Sequence, residues 1–281
     1  MDRRTFNLVA LLAGMCGVTS ASKASSSAEH DHATGYFMKK YPDLVGGEEL
    51  NIGMVVYPGM FLLDLVGPLA VFESLLNRKI HLLWKDTRPV GGTSGAITVL
   101  IPVTPTTSFA DCPKTLDLLF VPGGVNGTLL MMEDPVVLKF LADQAPKSKY
   151  LASVCTGSLI LGAAGLLRGY RATSHWMTID ALGELGATPV KERVVIDRNR
   201  ITGGGVTAGM DFGLALVALM RNRTYAEAVQ LYLEYDPKPP FNAGSPESAP
   251  TRVKEFINDM LGQVSTASVE AAKQARGRWK N

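Results

Sequence analysis

The chain has 281 residues, 46% of them hydrophobic and 19% charged, with a formal charge of +2. That apolar content supports a substantial core and excludes an intrinsically disordered chain; 28 Gly and 16 Pro are near ordinary usage and exclude collagen-like and low-complexity classes. Three cysteines are too few for a disulfide scaffold at this length.

Residues 1–28 read as an export leader. Arg3 and Arg4 precede the apolar run Leu8–Met15, and small residues follow. Arg3-Arg4-Thr5-Phe6 has the layout of a twin-arginine signal, with expected cleavage after Ala21, Ala24 or Ala28. The run is too short to span a bilayer, so no permanent membrane anchor is expected and the protein is expected in the periplasm or otherwise exported. Without a working signal it would stay in the cytoplasm. The leader carries the whole surplus of +2, which leaves a neutral body and argues against nucleic acid as a partner.

Residues 29–49 are polar and read as a linker. His30 and His32 there lack a third ligand nearby, so no metal site is expected. Residues 50–235 then alternate strand and helix signals. Ile52–Tyr57 is an apolar strand closed by Pro58-Gly59, and Leu65–Leu76 has helical apolar spacing. Ile80–Trp84, Ile97–Val103 and Leu116–Val121 are β-rich, and the last ends in Pro122-Gly123-Gly124. Pro135–Gln144 predicts a helix, Tyr150–Val154 a strand and Thr156–Leu167 a helix. A short strand at Arg171–Thr173, a helix over Trp176–Leu185 and a hairpin turned at Asp197-Arg198-Asn199 follow. Val206–Met220 and Tyr225–Tyr235 complete the set as helices. Residues 236–281 are a proline-rich strap and a final helix from about Thr251 to Arg276.

Unbroken apolar strands alternating with helices predict an α/β fold, a three-layer sandwich around a mostly parallel sheet. Its site is expected beyond the carboxyl ends of the strands. Cys155 lies there, directly after the strand YLASV and before a helix. That turn exposes a side chain at the top of the sheet, and the helix N-terminus favours a thiolate. A small buried hydrophobe is the other reading of a free cysteine. Cys112, before Pro113, has nothing to activate it and reads as structural.

The segments Ala152–Leu167 and Arg171–Trp176 resemble the PfpI-like (class I glutamine amidotransferase-like) superfamily, and within it the isonitrile hydratases. Leu62–Glu73, Val121–Gly124, Gly203–Ala218 and Gln230–Pro250 carry the same resemblance, which extends over about residues 50–250. It implies a flavodoxin-like fold, a homodimer and a small-molecule substrate. By resemblance, Cys155 is the nucleophile, Asp64 the acidic residue facing it and Thr156 the threonine that follows the cysteine. Many protease-like members have histidine in the place of Thr156, so thiol-protease activity is not expected.

Several residues keep two readings. Asp64 is a catalytic acid or an N-cap of the helix near Leu65; the resemblance favours the former. His175 is a site residue or a hydrogen-bonded core residue. Gly123 and Gly124 supply backbone donors beside the thiol, form a flexible turn, or do both. Thr207 lines the pocket or caps the helix after it.

The implied chemistry is addition of Cys155 to the isonitrile carbon. Asp64, protonated through a raised pKa, delivers the proton. Water then attacks the thioimidate with Asp64 as base, and an N-substituted formamide leaves. Thr156 orients the water or donates to the intermediate, and no metal or organic cofactor is required. The alternatives are another thiol activity of the superfamily (glyoxalase, deglycase or chaperone), an exported module that binds without catalysing, and a gene regulator. For the last, the roughly thirty residues after Pro250 are too few for a helix-turn-helix domain.

Overall fold

The computed structural model describes residues 39–45, 47–91 and 101–279, together with Tyr36 and the backbone of two short strands at 93–94 and 97–98. The leader 1–28, most of the linker and His30 and His32 lie outside the described residues. Seven strands form the main sheet: β1 (Leu50–Val55), β2 (Arg78–Trp84), β3 (Thr107–Ser108), β4 (Leu116–Val121), β5 (Ser148–Val154), β6 (Val194–Asp197) and β7 (Arg200–Gly203). Their order is β6-β7-β5-β4-β1-β2-β3. All neighbours run parallel except the β6–β7 hairpin. This is the expected mostly parallel sheet of a flavodoxin-like sandwich.

The central strands are apolar on both sides because helices cover both faces. Ile52, Met54, Leu118, Phe120, Leu151 and Ala152 are fully buried. The helices are α1 (Leu62–Glu73), α2 (Asn126–Glu133), α3 (Pro135–Gln144), α4 (Gly157–Ala163), α5 (Ala181–Glu184), α6 (Ala208–Met220), α7 (Arg223–Tyr232) and α8 (Thr251–Arg278). α1, α6 and α7 pack together as one layer; α2, α3, α4, α5 and α8 form the other. The last helix is the expected C-terminal extension. Among the described residues no helix is long and apolar enough to cross a membrane.

Three elements differ from expectation. Among its described residues, the run Ile97–Val103 gives a two-residue strand at Ile97–Thr98 and an isolated bridge between Val90 and Val103. Pro102 interrupts it because proline has no N–H for a ladder. The helix expected over Trp176–Leu185 shrinks to Ala181–Glu184, preceded by turns. There the Thr178 hydroxyl bonds the His175 carbonyl at 3.1 Å and meets the Ser174 hydroxyl at 3.1 Å, a local alternative to helix. The helix after Cys155 ends at Ala163, and Gly165 at φ 75° turns the chain away.

The sheet order puts four carboxyl ends side by side. β1 leads into α1, β4 into Pro122-Gly123-Gly124, β5 into Cys155 and β7 into Gly204. The chain runs outward from β1 to β2 and β3, then returns to place β4 on the other side of β1. Ligand crevices of open α/β sheets form at such a reversal.

Phe120 on β4 packs against Phe212 on α6, with ring centroids 5.6 Å apart, and ties the sheet to one helical layer. Truncating it leaves a cavity in a close-packed interior. Phe120→Ala is expected to cost about 3–5 kcal/mol, read from the midpoint and slope of urea unfolding.

Candidate active site

Cys155 has φ 55°, in the left-handed region, and is 3% exposed. A non-glycine residue held there costs about 1–3 kcal/mol, so its surroundings must fix it. They do so from three sides. Its N–H donates to the carbonyls of Gly204 and Gly203 at 2.7 and 3.1 Å. Its carbonyl accepts from the hydroxyls of Ser174 and Ser158 at 3.1 and 3.2 Å. The strands β4 and β7 clamp β5 on either side.

Asp64 faces this turn from α1 and is completely buried. It stands in the third position of its helix, and Phe61 is the capping residue, so the N-cap reading is ruled out. Its Oδ2 accepts from the Gly123 N–H at 2.9 Å. Its Oδ1 has no hydrogen-bond partner, and the carboxyl stands close enough to the Cys155 thiol for each to alter the other's ionisation. Burial pushes the Asp64 carboxyl up to about 7, against the Gly123 hydrogen bond and the Cys155 thiol, which favour its charged form. Burial also pushes the Cys155 thiol well above its usual range, and the Asp64 charge adds to this. The Thr156 N–H and hydroxyl both favour the thiolate, and they are outweighed. The free thiolate expected from the helix N-terminus is therefore corrected. Two groups that each resist a second negative charge hold one proton between them above neutrality.

Thr156 is 2% exposed and supplies both of those donors to sulfur. Its own hydroxyl oxygen accepts from the Gly124 N–H at 3.0 Å and lies 2.7 Å from the Thr128 hydroxyl. Thr128 in turn lies 3.4 Å from the Tyr57 hydroxyl, whose proton goes to the Pro122 carbonyl at 2.8 Å. With Thr128 donating to Thr156, the Thr156 proton is free to point at sulfur. Sequence reasoning missed Thr128 and Tyr57; the only signal was their place just after β4 and β1.

The glycines act differently from expectation. Gly123 and Gly124 do not leave open donors for a ligand, because their N–H groups are taken by Asp64 and Thr156. They position the two side chains instead. A Cβ on Gly123 would stand 2.6 Å from the Thr156 nitrogen and 2.7 Å from Asp64 Oδ2, so the pair meets only because that position is bare.

A cavity of about 170 Å³ opens onto the cysteine. Phe61, Val125, Met177, Val206, Leu261 and Val264 give it apolar walls, with Thr156, His175 and Thr178 as polar edges. Val125, beside the cysteine in this cavity, also has a positive φ, at 39°, which sequence did not signal. His175 borders this cavity from the loop beyond the strand Arg171–Ala172. Its Nδ1 accepts from the Met177 N–H at 3.4 Å, and it makes no hydrogen bond to Cys155, Asp64 or Thr156. Burial lowers its pKa, so it is neutral. Thr207 is not at the cysteine. It lines a separate cavity of about 650 Å³ with Arg193, Asp211 and Tyr235, and its carbonyl accepts from Arg193 at 2.9 Å. It holds the N-cap position of α6 without a side-chain cap bond. That larger cavity does not reach Cys155, which opens into the smaller one, so the smaller one is the candidate active site. Among the described residues no group of ligating side chains could hold a metal ion.

Residues 51–219 match the DJ-1/PfpI family, and the chain belongs to it. It is 50% identical over 204 residues to isonitrile hydratase from Pseudomonas putida, covering 73% of this chain and 86% of that one. It is 32% identical over 194 residues to the HTH-type transcriptional regulator GbdR from Pseudomonas aeruginosa, of which it spans 51%. A THiJ/PfpI family protein from Pseudomonas syringae, of known crystal structure, superposes with a TM-score of 0.78 at 45% identity, covering 91% of this chain and 98% of that one. The relationship to isonitrile hydratase supports an enzyme of the hydratase type.

The raised Asp64 carboxyl has a thermodynamic consequence. Between about pH 4 and pH 7 the folded chain keeps a proton that the unfolded chain has released. Stability attributable to Asp64 therefore falls as pH rises across that window, by up to about 4 kcal/mol, and is flat above it. Urea midpoints at pH 5 and pH 8 are expected to show Asp64→Asn gaining on the parent chain at the higher pH.

Proposed function

We propose that this protein hydrates isonitriles to N-substituted formamides through a thioimidate on Cys155. The observation that carries the reading is the buried Asp64 carboxyl beside Cys155, whose thiol opens into an apolar pocket. An isonitrile is a compact, weakly solvated dipole on an apolar group, and such a pocket suits it. Its terminal carbon accepts both a proton and a nucleophile, and the pair offers both at one point.

In the first step Sγ forms a bond to the isonitrile carbon while the shared proton passes through Asp64 to that carbon. The product is R–N=CH–S–Cys155, and Asp64 is left as carboxylate. In the second step Asp64 takes a proton from water as the water oxygen bonds the same carbon. That proton goes on to nitrogen, giving R–NH–CH(OH)–S–Cys155. The C–S bond then breaks, sulfur leaves with the electron pair, the hydroxyl proton returns to the pair, and R–NH–CHO departs. Thr156 stabilises the sulfur charge at the start and end through its N–H and hydroxyl. Asp64 serves as acid, then base, as a carboxyl with a pKa near neutrality can. His175 makes no hydrogen bond to sulfur, so an imidazole-assisted thiol hydrolysis has no base in contact with Cys155.

Export and pairing belong to the same proposal. The leader directs the chain outward, and two copies form the working unit, as the family resemblance implies. Protein recovered from the periplasm is expected to begin after Ala21, Ala24 or Ala28 by intact mass, and to sediment as a dimer.

Purified protein given cyclohexyl isocyanide is expected to yield N-cyclohexylformamide by mass spectrometry. Cys155→Ala is expected to yield none, and Asp64→Asn to lose at least about 100-fold in kcat/KM. The pair is active with one proton and idle with two, so kcat/KM rises with pH through about 7. No turnover by folded protein with a reduced Cys155 would sink the reading. A flat profile from about pH 5.5 to 8.5 would sink the shared proton.

A further inference from the structure

The wall of the Cys155 cavity has one part that the α/β core does not supply. Leu261 and Val264 come from α8, well over a hundred residues later in the chain. The two halves of α8 behave differently. Its second half is fastened to the core. Ala272 and Ala275 are fully buried, and small residues let the helix sit close. Trp279 Nε1 donates to the Ala163 carbonyl at 2.9 Å, at the end of α4, and Arg278 donates to the Met132 carbonyl at 2.6 Å on α2.

The first half of α8 projects over the mouth of the site. Val253, Phe256 and Met260 face solvent at 46%, 63% and 56% exposure. Ile257, Leu261 and Val264, spaced four and three residues apart, form the adjacent half-buried face of the same helix. Ile257 and Leu261 also border an adjoining cavity of about 320 Å³, shared with His175, Trp176 and the strap residues Ala243–Pro246. The helix thus divides the outer space from the inner pocket, and Leu261 touches both sides.

We infer that Leu261 and Val264 set the size of substituent the site accepts, so that this helix acts as the specificity wall of the enzyme. The inference rests on the hydratase reading for the identity of the substrate, but not for the wall itself. A dry cavity of about 150 Å³ holds benzene. The inner pocket, at about 170 Å³, therefore suits one six-membered ring or a short branched alkyl group. A polycyclic group needs the space that Leu261 and Val264 fill. Neither residue touches the reacting atoms, so both are specificity residues and not catalytic ones.

The test uses two pairs of probes. Cyclohexyl and 1-adamantyl isocyanide report turnover. Iodoacetamide and N-(1-adamantyl)iodoacetamide report access to Cys155, since each forms an S–C bond with loss of iodide and needs no hydratase chemistry. Both positions are half-exposed on a helix, where alanine is well tolerated. In Leu261→Ala and Val264→Ala the adamantyl-to-small rate ratio is expected to rise roughly tenfold with both probe pairs. Leu261→Trp is expected to lower it, and Phe256→Ala, on the outer face, to leave it unchanged. Ratios that do not move in either alanine variant overturn the wall, even where cyclohexyl isocyanide is hydrated. Alkylation ratios that shift while no isonitrile is consumed support the wall and overturn the hydratase reading alone.

Discussion

A single backbone angle organises the molecule. Cys155 holds φ 55° directly after β5, and the fold is arranged to keep it there. Two carbonyls from the end of β7 receive its N–H, and two serine hydroxyls from different segments reach its carbonyl. Parallel strands on both sides prevent the turn from relaxing along the sheet. Each support comes from a separate stretch of chain, so the conformation exists only when the whole sheet is assembled. Strain of about 1–3 kcal/mol is small against the burial of the central strands but large against any one hydrogen bond, which is why several are needed.

The turn aims sulfur at a carboxyl that has almost no other company. Asp64 receives one backbone N–H and otherwise faces the thiol from a fully buried position. A lone buried carboxylate is costly, and a second anion beside it more so. The pair resolves this by keeping a proton, which is also what an α-addition to carbon consumes. Gly123 is the geometric condition. Any side chain there would separate Asp64 from Thr156, and its N–H is what anchors the carboxyl. The Tyr57–Thr128–Thr156 hydroxyls then fix the direction of the Thr156 proton without placing another charge in the site.

How much of this the sequence disclosed follows from the range of each interaction. Strands β1, β4 and β5 and helices α3, α6 and α8 are local patterns with strong apolar runs, and their positions were legible to within a few residues. The turn at Cys155 was legible because strand and helix signals abut there. Asp64 and Thr156 came from resemblance and not from spacing. The roles of the Gly123 and Gly124 N–H groups were misread, because which acceptor takes a backbone donor depends on packing between α1 and the loop after β4. Of the two readings of Thr207, the structure places it at the N-cap position of α6 and beside a different cavity, away from the cysteine. Val125 left no local mark, and Thr128 only its place after β4.

The placement of α8 bears on how water is managed. The proposed hydration needs one water at the thioimidate carbon, yet a carboxyl basic enough to activate it needs burial. A site open to solvent would lower the Asp64 carboxyl toward its ordinary value and make it a weaker base for that step. A site sealed by the rigid core would trap product. A helix fastened at one end by Trp279 and buried alanines, and lightly seated at the other by Leu261 and Val264, meets both demands. It covers the pocket beside Cys155, and its first half has fewer buried residues than its second. Local opening free energies are lowest where few apolar contacts are buried. The first half of α8 is such a segment, and it lies directly over the reacting atoms.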